Sequence, residues 1–117
     1  MKMYCELQKM IEGAADETNC PLISKMAEGT HYAYTVAMDD LSVCENKLIL
    51  TSLVNLFANE DYDDALSFLA LLFSLCDMEP ASEIVAAVGA SGDEHCAKTF
   101  LAKFFVLGAE ELNDVMK

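Results

Sequence analysis

The residues of this chain that could carry chemistry are few and far apart. Its two histidines, His31 and His95, are widely separated, and neither belongs to the HExxH pattern of metalloproteases. The sequence contains no GxSxG element, no glycine-rich phosphate loop and no P-loop lysine. We therefore assign no catalytic residue and expect a protein that is not an enzyme.

A run of carboxylates at Glu60, Asp61, Asp63 and Asp64 is the only dense cluster of metal-ligand side chains. A calcium-binding EF-hand loop needs a central glycine and a glutamate at its twelfth position. Counted from Glu60, Ala65 and Leu71 would occupy those places. Acidic residues are also favoured at the start of a helix by its dipole. We therefore expect a solvated first helical turn here, with no metal and no other cofactor.

Cysteine spacing argues against a disulfide framework or a zinc site. The five cysteines are odd in number and no two form a CxxC pair, whereas both kinds of site favour paired spacing. We expect reduced thiols that serve as small hydrophobic residues in a reducing compartment. These cysteines are Cys5, Cys20, Cys44, Cys76 and Cys96.

The charge of the chain excludes nucleic acid as a partner. The formal net charge is −13, and the cations are seven lysines with no arginine. Proteins that bind nucleic acid carry a basic patch, commonly with arginine forks on phosphate groups. This composition would repel both phosphate backbones and anionic lipid headgroups.

Length and hydropathy indicate one globular domain over residues 1–117. A hydrophobic fraction of 54% supplies a real core, which disordered chains lack. The longest apolar stretch, residues 65–76, is shorter than the roughly 20 residues that a membrane span needs. Charges interrupt the N-terminal residues, so we expect neither a signal peptide nor a membrane span in this chain.

Helical spacing of apolar residues runs through the whole sequence, and strand alternation is hard to find. The pattern predicts an all-α bundle of seven to eight short helices around one central hydrophobic helix at about 62–77. That helix, ALSFLALLFSLC after an acidic turn, is apolar on every side, which is typical of a helix surrounded by others. The other helices are predicted near 4–13, 22–34, 46–57, 82–88, 95–107 and 109–116, with a short segment near 36–43.

The order of these segments resembles the Bcl-2 family. ISKMAEG, with Ile23, Ala27 and Glu28, is similar to the third Bcl-2 homology motif, and the resemblance continues through YAYTVAMDDL. LVNLF is similar to the helix that precedes the first homology motif. DYDD then stands where the family has its Asn-Trp-Gly-Arg tetrad, followed by the apolar helix. The resemblance covers about residues 20–77, and compact versions of this kind are typical of large DNA viruses.

The resemblance implies a bundle with a hydrophobic groove that captures an amphipathic ligand helix. Tyr62 takes the place of the tetrad tryptophan, whereas Asp63 and Asp64 replace the glycine and the arginine. That arginine normally pairs with an aspartate of the ligand, so either Lys47 substitutes for it or the ligand acid faces solvent. The implied groove residues are Tyr34, Ala37, Met38, Leu41, Leu53, Leu56, Phe57, Tyr62, Asp64, Leu66 and Ser67.

The function that this resemblance implies is inhibition of apoptosis by a viral Bcl-2-like protein. Its partners would be proapoptotic Bcl-2 proteins, bound through their death-motif helix, and an open groove would also favour a homodimer. The expected location is the host cytoplasm, with peripheral attachment to mitochondria left open. Two alternatives stay open: a protein of the same fold that inhibits innate immune signalling through its outer faces, and a death-fold adaptor.

Overall fold

The computed structural model describes residues 21–108, which form five α-helices and, within that range, no β-strand. The helices are α1 (Pro21–Asp39), α2 (Val43–Ala58), α3 (Tyr62–Leu75), α4 (Glu79–Ala90) and α5 (Glu94–Leu107). An all-α architecture is therefore confirmed for this part of the chain. The helices predicted near 4–13 and 109–116 lie outside the described residues.

The structure has five helices within residues 21–108, against seven to eight predicted for the whole chain, of which two lie outside that range. The short segment predicted near 36–43 is not a separate element, because α1 is continuous from Pro21 to Asp39 and residues 40–42 form the turn before α2. No proline or glycine interrupts residues 30–40, so nothing forces a break there. The Thr35 hydroxyl donates to the Tyr32 carbonyl oxygen at 2.7 Å within the same helix.

Local capping sets where α2 begins. The prediction placed its start at Asn46, but the N-cap is Ser42, four residues earlier. The backbone N–H of Glu45 donates to the Ser42 hydroxyl, and the N–H of Ser42 donates to the Glu45 carboxylate, both at 3.1 Å. This capping box satisfies two N–H groups that the first turn of a helix leaves unpaired. The Ser42 backbone and hydroxyl bonds lower the pKa of Glu45.

Both α2 and α3 end in the same type of turn, with an acidic residue in a conformation that usually requires glycine. After α2, Glu60 has φ 63°, with its N–H donating to Phe57 and that of Asp61 to Leu56. After α3, Asp77 has φ 59° and makes the equivalent bond to Ser74. These bonds form Schellman motifs, which close the helix ends despite the left-handed residue.

Helix α5 has the most buried residues of the described helices: four consecutive residues, from Thr99 to Ala102, are buried, and so are Phe104 and Phe105. Helix α3, predicted at about 62–77 as the central helix, packs against each of the other four described helices. It is not covered on every side, however, because Leu71 and Leu75 are 60% and 75% accessible. The expectation that this helix is surrounded all round is therefore wrong.

The remaining helices pack around α3 and α5. Helix α4 lies along α3, and α1 lies along α5. The Ser82 hydroxyl of α4 donates to the Ala70 carbonyl oxygen of α3 at 2.9 Å, which fixes their relative position. The Asn46 side-chain amide donates to the Met38 carbonyl oxygen at 3.2 Å. A side chain of α2 thus provides a hydrogen bond to a carbonyl group in the last turn of α1.

We predict that Phe57→Ala lowers the free energy of unfolding by about 3–5 kcal/mol, because a fully buried phenylalanine leaves a cavity. Urea denaturation followed by circular dichroism measures this loss. Leu48→Ala on the same helix is the control, and we expect it to change stability by less than about 0.5 kcal/mol because Leu48 is exposed. Equal losses in the two variants would contradict the assigned core.

We also predict that Glu60→Gly raises the free energy of unfolding by about 1 kcal/mol, because glycine adopts the left-handed conformation without steric cost. Thermal unfolding monitors the change. Glu60→Gln removes the charge but keeps the strained conformation, and it is the matched control. A gain in Glu60→Gln as large as that in Glu60→Gly would show that charge repulsion, and not backbone strain, is relieved.

Candidate helix-binding site

Most residues assigned to the ligand groove belong to the core of the described structure. Tyr34, Ala37 and Met38 of α1 are buried, and the contributions of α2 and α3 are buried with them. The buried members are Tyr34, Ala37, Met38, Leu53, Phe57, Tyr62 and Leu66. Ala27, the small residue of the segment similar to the third homology motif, is also fully buried.

The other four residues reach the surface. Leu41 and Leu56 are half-buried and pack against the core with part of their side chains accessible. Asp64 and Ser67 are exposed on the first turns of α3. The predicted site thus consists of a buried apolar part and a partly accessible edge.

A continuous row of aromatic rings brings three of the predicted residues together. Tyr34 lies edge-to-face with Phe104 at a centroid distance of 5.0 Å, and Phe104 contacts Phe105 at 5.9 Å. Phe105 in turn packs edge-to-face on Phe57 at 5.3 Å, and Phe57 on Tyr62 at 5.5 Å. Such pairs add about 0.5–1.5 kcal/mol each beyond the burial of area. Residues from α1, α2 and α3 are therefore joined through α5.

The central part of this row, Phe104 and Phe105, is not among the predicted site residues. Both lie in TFLAKFFVL, an apolar stretch of α5 for which helical spacing predicts only a helix. The dense aromatic content of that stretch was the available signal. His31 also belongs to this environment, with its ring 5.5 Å from that of Phe104.

The apolar part of the site is closed in this conformation. A cavity between Tyr34, Leu50, Phe104 and Phe105 has a volume of about 10 Å³. This is about the space that one water molecule occupies, and far less than an apolar side chain of a ligand requires. The core beside Tyr34 therefore has no room for a side chain of a ligand helix in this conformation.

The segment in the tetrad position forms an open and strongly acidic surface. Asp61 is the N-cap residue of α3, yet its side chain makes no capping hydrogen bond. Asp63 and Asp64 lie in the first turn and are exposed, where the helix dipole favours negative charge. Lys47, which was considered as a substitute for the family arginine, is exposed on α2.

Tyr62 differs from its acidic neighbours because it is 3% exposed and its hydroxyl has no hydrogen-bond partner among the described residues. Burial is the main reason that the pKa of this phenol is raised, and the charges of Glu60 and Glu94 raise it further. A phenol in this setting stays neutral at physiological pH. It can donate one hydrogen bond and accept others.

Residues 21–108 contain no cluster of three or more histidine, cysteine or acidic side chains with the geometry of a metal site. Cys44, Cys76 and Cys96, the cysteines of the described residues, are not in disulfide bonds, and Cys5 and Cys20 lie outside those residues. The Cys96 thiol donates to the Asp93 carboxylate at 3.4 Å, and this bond is the main reason that the pKa of Asp93 is lowered. Over the same range, the search for helices with the length and hydropathy of a membrane span finds none.

Comparisons with protein-family models, with curated proteins and with solved structures find no match to this chain.

We predict that Tyr62→Phe raises the free energy of unfolding by about 1 kcal/mol at neutral pH, because it removes a buried hydroxyl that has no partner. A raised pKa in the folded state means that stability falls as pH rises through the ordinary value of 10.0 and above. That part of the alkaline loss should be absent in Tyr62→Phe. Urea midpoints at neutral and alkaline pH measure both effects.

Tyr32→Phe is the control for this experiment, since Tyr32 is 72% exposed. We expect its stability to stay within about 0.5 kcal/mol of the wild type at neutral pH. A clear loss of stability in Tyr62→Phe would mean that the hydroxyl has a stabilising partner.

Proposed function

We propose that this protein is a viral Bcl-2-like inhibitor of apoptosis that binds the death-motif helix of proapoptotic Bcl-2 proteins. The observation that carries the proposal is the aromatic row, because it joins the segments that resemble the family's motifs in one region of the bundle. Tyr34 comes from the first of these segments, Phe57 from the second and Tyr62 from the third. No catalytic group is required for such a role.

Ligand capture would begin at the accessible edge and proceed by opening of the apolar part. Leu41 and Leu56 offer partly exposed apolar surface next to the core. The four apolar anchors of an amphipathic helix would then replace side chains of α1 in the core. Only a fraction of the protein molecules would have the apolar part open at any time. The measured affinity for a ligand helix would therefore be lower than that of a preformed groove.

The negative charge of the protein favours basic ligand helices. A net charge of −13 would accelerate their association, and the effect would decrease as salt screens the charges. The absence of an arginine at Asp64 would at the same time narrow the range of ligands, since the aspartate of the death motif would find no charged partner there.

We predict that calorimetric titration with death-motif peptides finds at least one ligand with a Kd at or below about 1 μM, corresponding to about 8 kcal/mol. The affinity should fall as salt is raised. Leu56→Arg should abolish this binding because it places a charge at the apolar edge, while the half-buried position lets the protein keep its fold. Arginine at Ala37 is a poorer choice, because that residue is buried.

Leu48→Arg is the matched control, because Leu48 lies on the same helix and is 69% exposed. It should bind the peptide as the wild type does. Circular dichroism and thermal unfolding confirm that both variants are folded. Absence of binding by every peptide to the folded wild-type protein would refute the proposal.

A second candidate function uses the outer surface of the same bundle. Leu71 and Leu75, spaced one turn apart on α3, are exposed apolar residues and would suit a protein contact. If no death-motif peptide binds, inhibition of innate immune signalling through this exposed surface becomes the favoured function. Homodimerisation was expected from an open groove, and since the apolar part is closed here, it stays a prediction for sedimentation analysis.

A further inference from the structure

One side of α3 forms an apolar stripe that stays exposed in the described bundle. Leu71 and Leu75 are 60% and 75% accessible, and Phe68 and Leu72 beside them are partly buried against the core. Residues 65–76 contain no charged side chain. Positions 68, 71 and 75 follow the spacing with which one helix presents an apolar seam to another. These four residues, here called the α3 stripe, are therefore suited to contact with a further helix.

Helix α4 runs antiparallel beside the α3 stripe and carries acidic residues along it. The Ser74 hydroxyl donates to the Glu79 carboxylate at 3.3 Å, and the Ser82 hydroxyl donates to the Ala70 carbonyl oxygen at 2.9 Å. The later residue of α4 thus contacts the earlier residue of α3. Glu83 follows Glu79 by one helical turn on the same side of α4, and both are exposed. The stripe therefore has an acidic row along its α4 side.

This part of the chain has negative charge only. Residues 61–90, which include α3 and α4, contain six acidic residues and no lysine, arginine or histidine. Opposite charges across an interface select and orient a partner, whereas like charges exclude it. An apolar stripe with an acidic row along one side therefore complements a ligand whose apolar face has cations along one edge.

We propose that the α3 stripe and the acidic row of α4 bind an amphipathic helix of a partner protein with basic residues along one edge of its apolar face. Apolar residues of that helix, three and four positions apart, would cover Leu71 and Leu75. Lysine or arginine side chains one turn apart would reach Glu79 and Glu83. The net charge of −13 disfavours a second copy of this chain, and it also disfavours an anionic lipid surface.

This surface is separate from the groove assigned to the death-motif helix. None of the four residues of the α3 stripe belongs to that groove, and binding here requires no opening of the apolar part. The proposal names the kind of partner that the outer surface of the second candidate function would take. It does not rest on capture of a death motif, and the variants below separate the two sites.

The test is calorimetric titration of the full chain with a capped helical peptide that has leucine along one face and lysine along one edge of that face. A peptide with glutamate at each lysine position is the comparison. We expect the lysine peptide to bind about tenfold more tightly than the glutamate peptide, and we expect the difference to decrease as salt is raised. Equal affinities of the two peptides would overturn the proposal.

A double substitution, Leu71→Ser with Leu75→Ser, locates the apolar contact. We expect it to weaken the lysine peptide by about tenfold, because two apolar side chains no longer contact the ligand. Val43→Ser with Leu48→Ser is the matched control, since these residues of α2 are 70% and 69% exposed. It should bind as the wild type does, and thermal unfolding checks that both double variants are folded. Equal losses of affinity would contradict the location.

Leu56→Arg separates this surface from the groove. The substitution places a charge at the edge of the groove and leaves the α3 stripe unchanged. We expect the lysine peptide to bind this variant as it binds the wild type. Loss of binding would mean that the peptide occupies the groove, and it would overturn the assignment to α3 and α4.

Two variants with the same change of charge test the acidic row. Glu83→Lys on α4 should weaken the lysine peptide by about fivefold, because it places a cation beside the stripe. Glu28→Lys on α1 should have little effect, although Glu28 is also exposed. Equal effects would mean that only the overall charge of the protein attracts the peptide, and they would overturn the role of the row.

Two further measurements test other occupants of the stripe. We expect sedimentation to find the same mass for the wild type and for the double serine variant of α3. A wild-type dimer that is lost in this variant would overturn the proposal in favour of a second copy. We also expect no flotation with vesicles of phosphatidylcholine. Flotation of the wild type that is lost in the variant would overturn the proposal in favour of a lipid surface.

Discussion

The contact on which the described fold depends most is the aromatic row through Phe104 and Phe105 of α5. These two neighbouring rings face different partners: Phe104 packs on Tyr34 of α1, and Phe105 packs on Phe57 of α2. Because Phe57 also contacts Tyr62, one pair of residues joins four helices. Loss of the Phe104 ring would disturb α1, whose Tyr34 and His31 both pack on it, and loss of the Phe105 ring would disturb Phe57 and, through it, the start of α3.

The same row explains why the apolar part of the candidate groove is closed. Tyr34 lies in the core because Phe104 provides an edge-to-face partner, and only about 10 Å³ is left beside it. In the proposed function, an incoming ligand helix would have to offer apolar contacts that replace this pair before α1 could separate from α5. Leu41 and Leu56, at the margin of the core, would contact a ligand without such a separation. Ligand binding of this kind would therefore oppose the stability of the α1–α5 contact.

Much of the helical architecture followed from the sequence, because periodic apolar residues and helix-stop signals are local. The starts of α3 and α5 lie near the predicted residues 62 and 95. The S-x-x-E capping box at Ser42 is also a local signal, and it starts α2 before the predicted Asn46. Which sides of α3 are covered was not predictable in this way. Leu71 and Leu75 continue the apolar run of α3 yet face solvent, because burial depends on how the helices are arranged.

For the candidate site, the sequence does not separate groove residues from core residues, because both follow the same apolar pattern. Tyr62 illustrates the difference. Its aromatic character predicts a packed ring, and the ring does pack on Phe57. The burial of its hydroxyl, which finds no hydrogen-bond partner among the described residues, depends instead on how α3 packs against the other helices. Burial and the charges of Glu60 and Glu94 raise the pKa of this phenol, and Glu94 is distant from it in sequence. Because the ring packs on Phe57, a change in the packing of Phe57 would alter the position of the phenol as well.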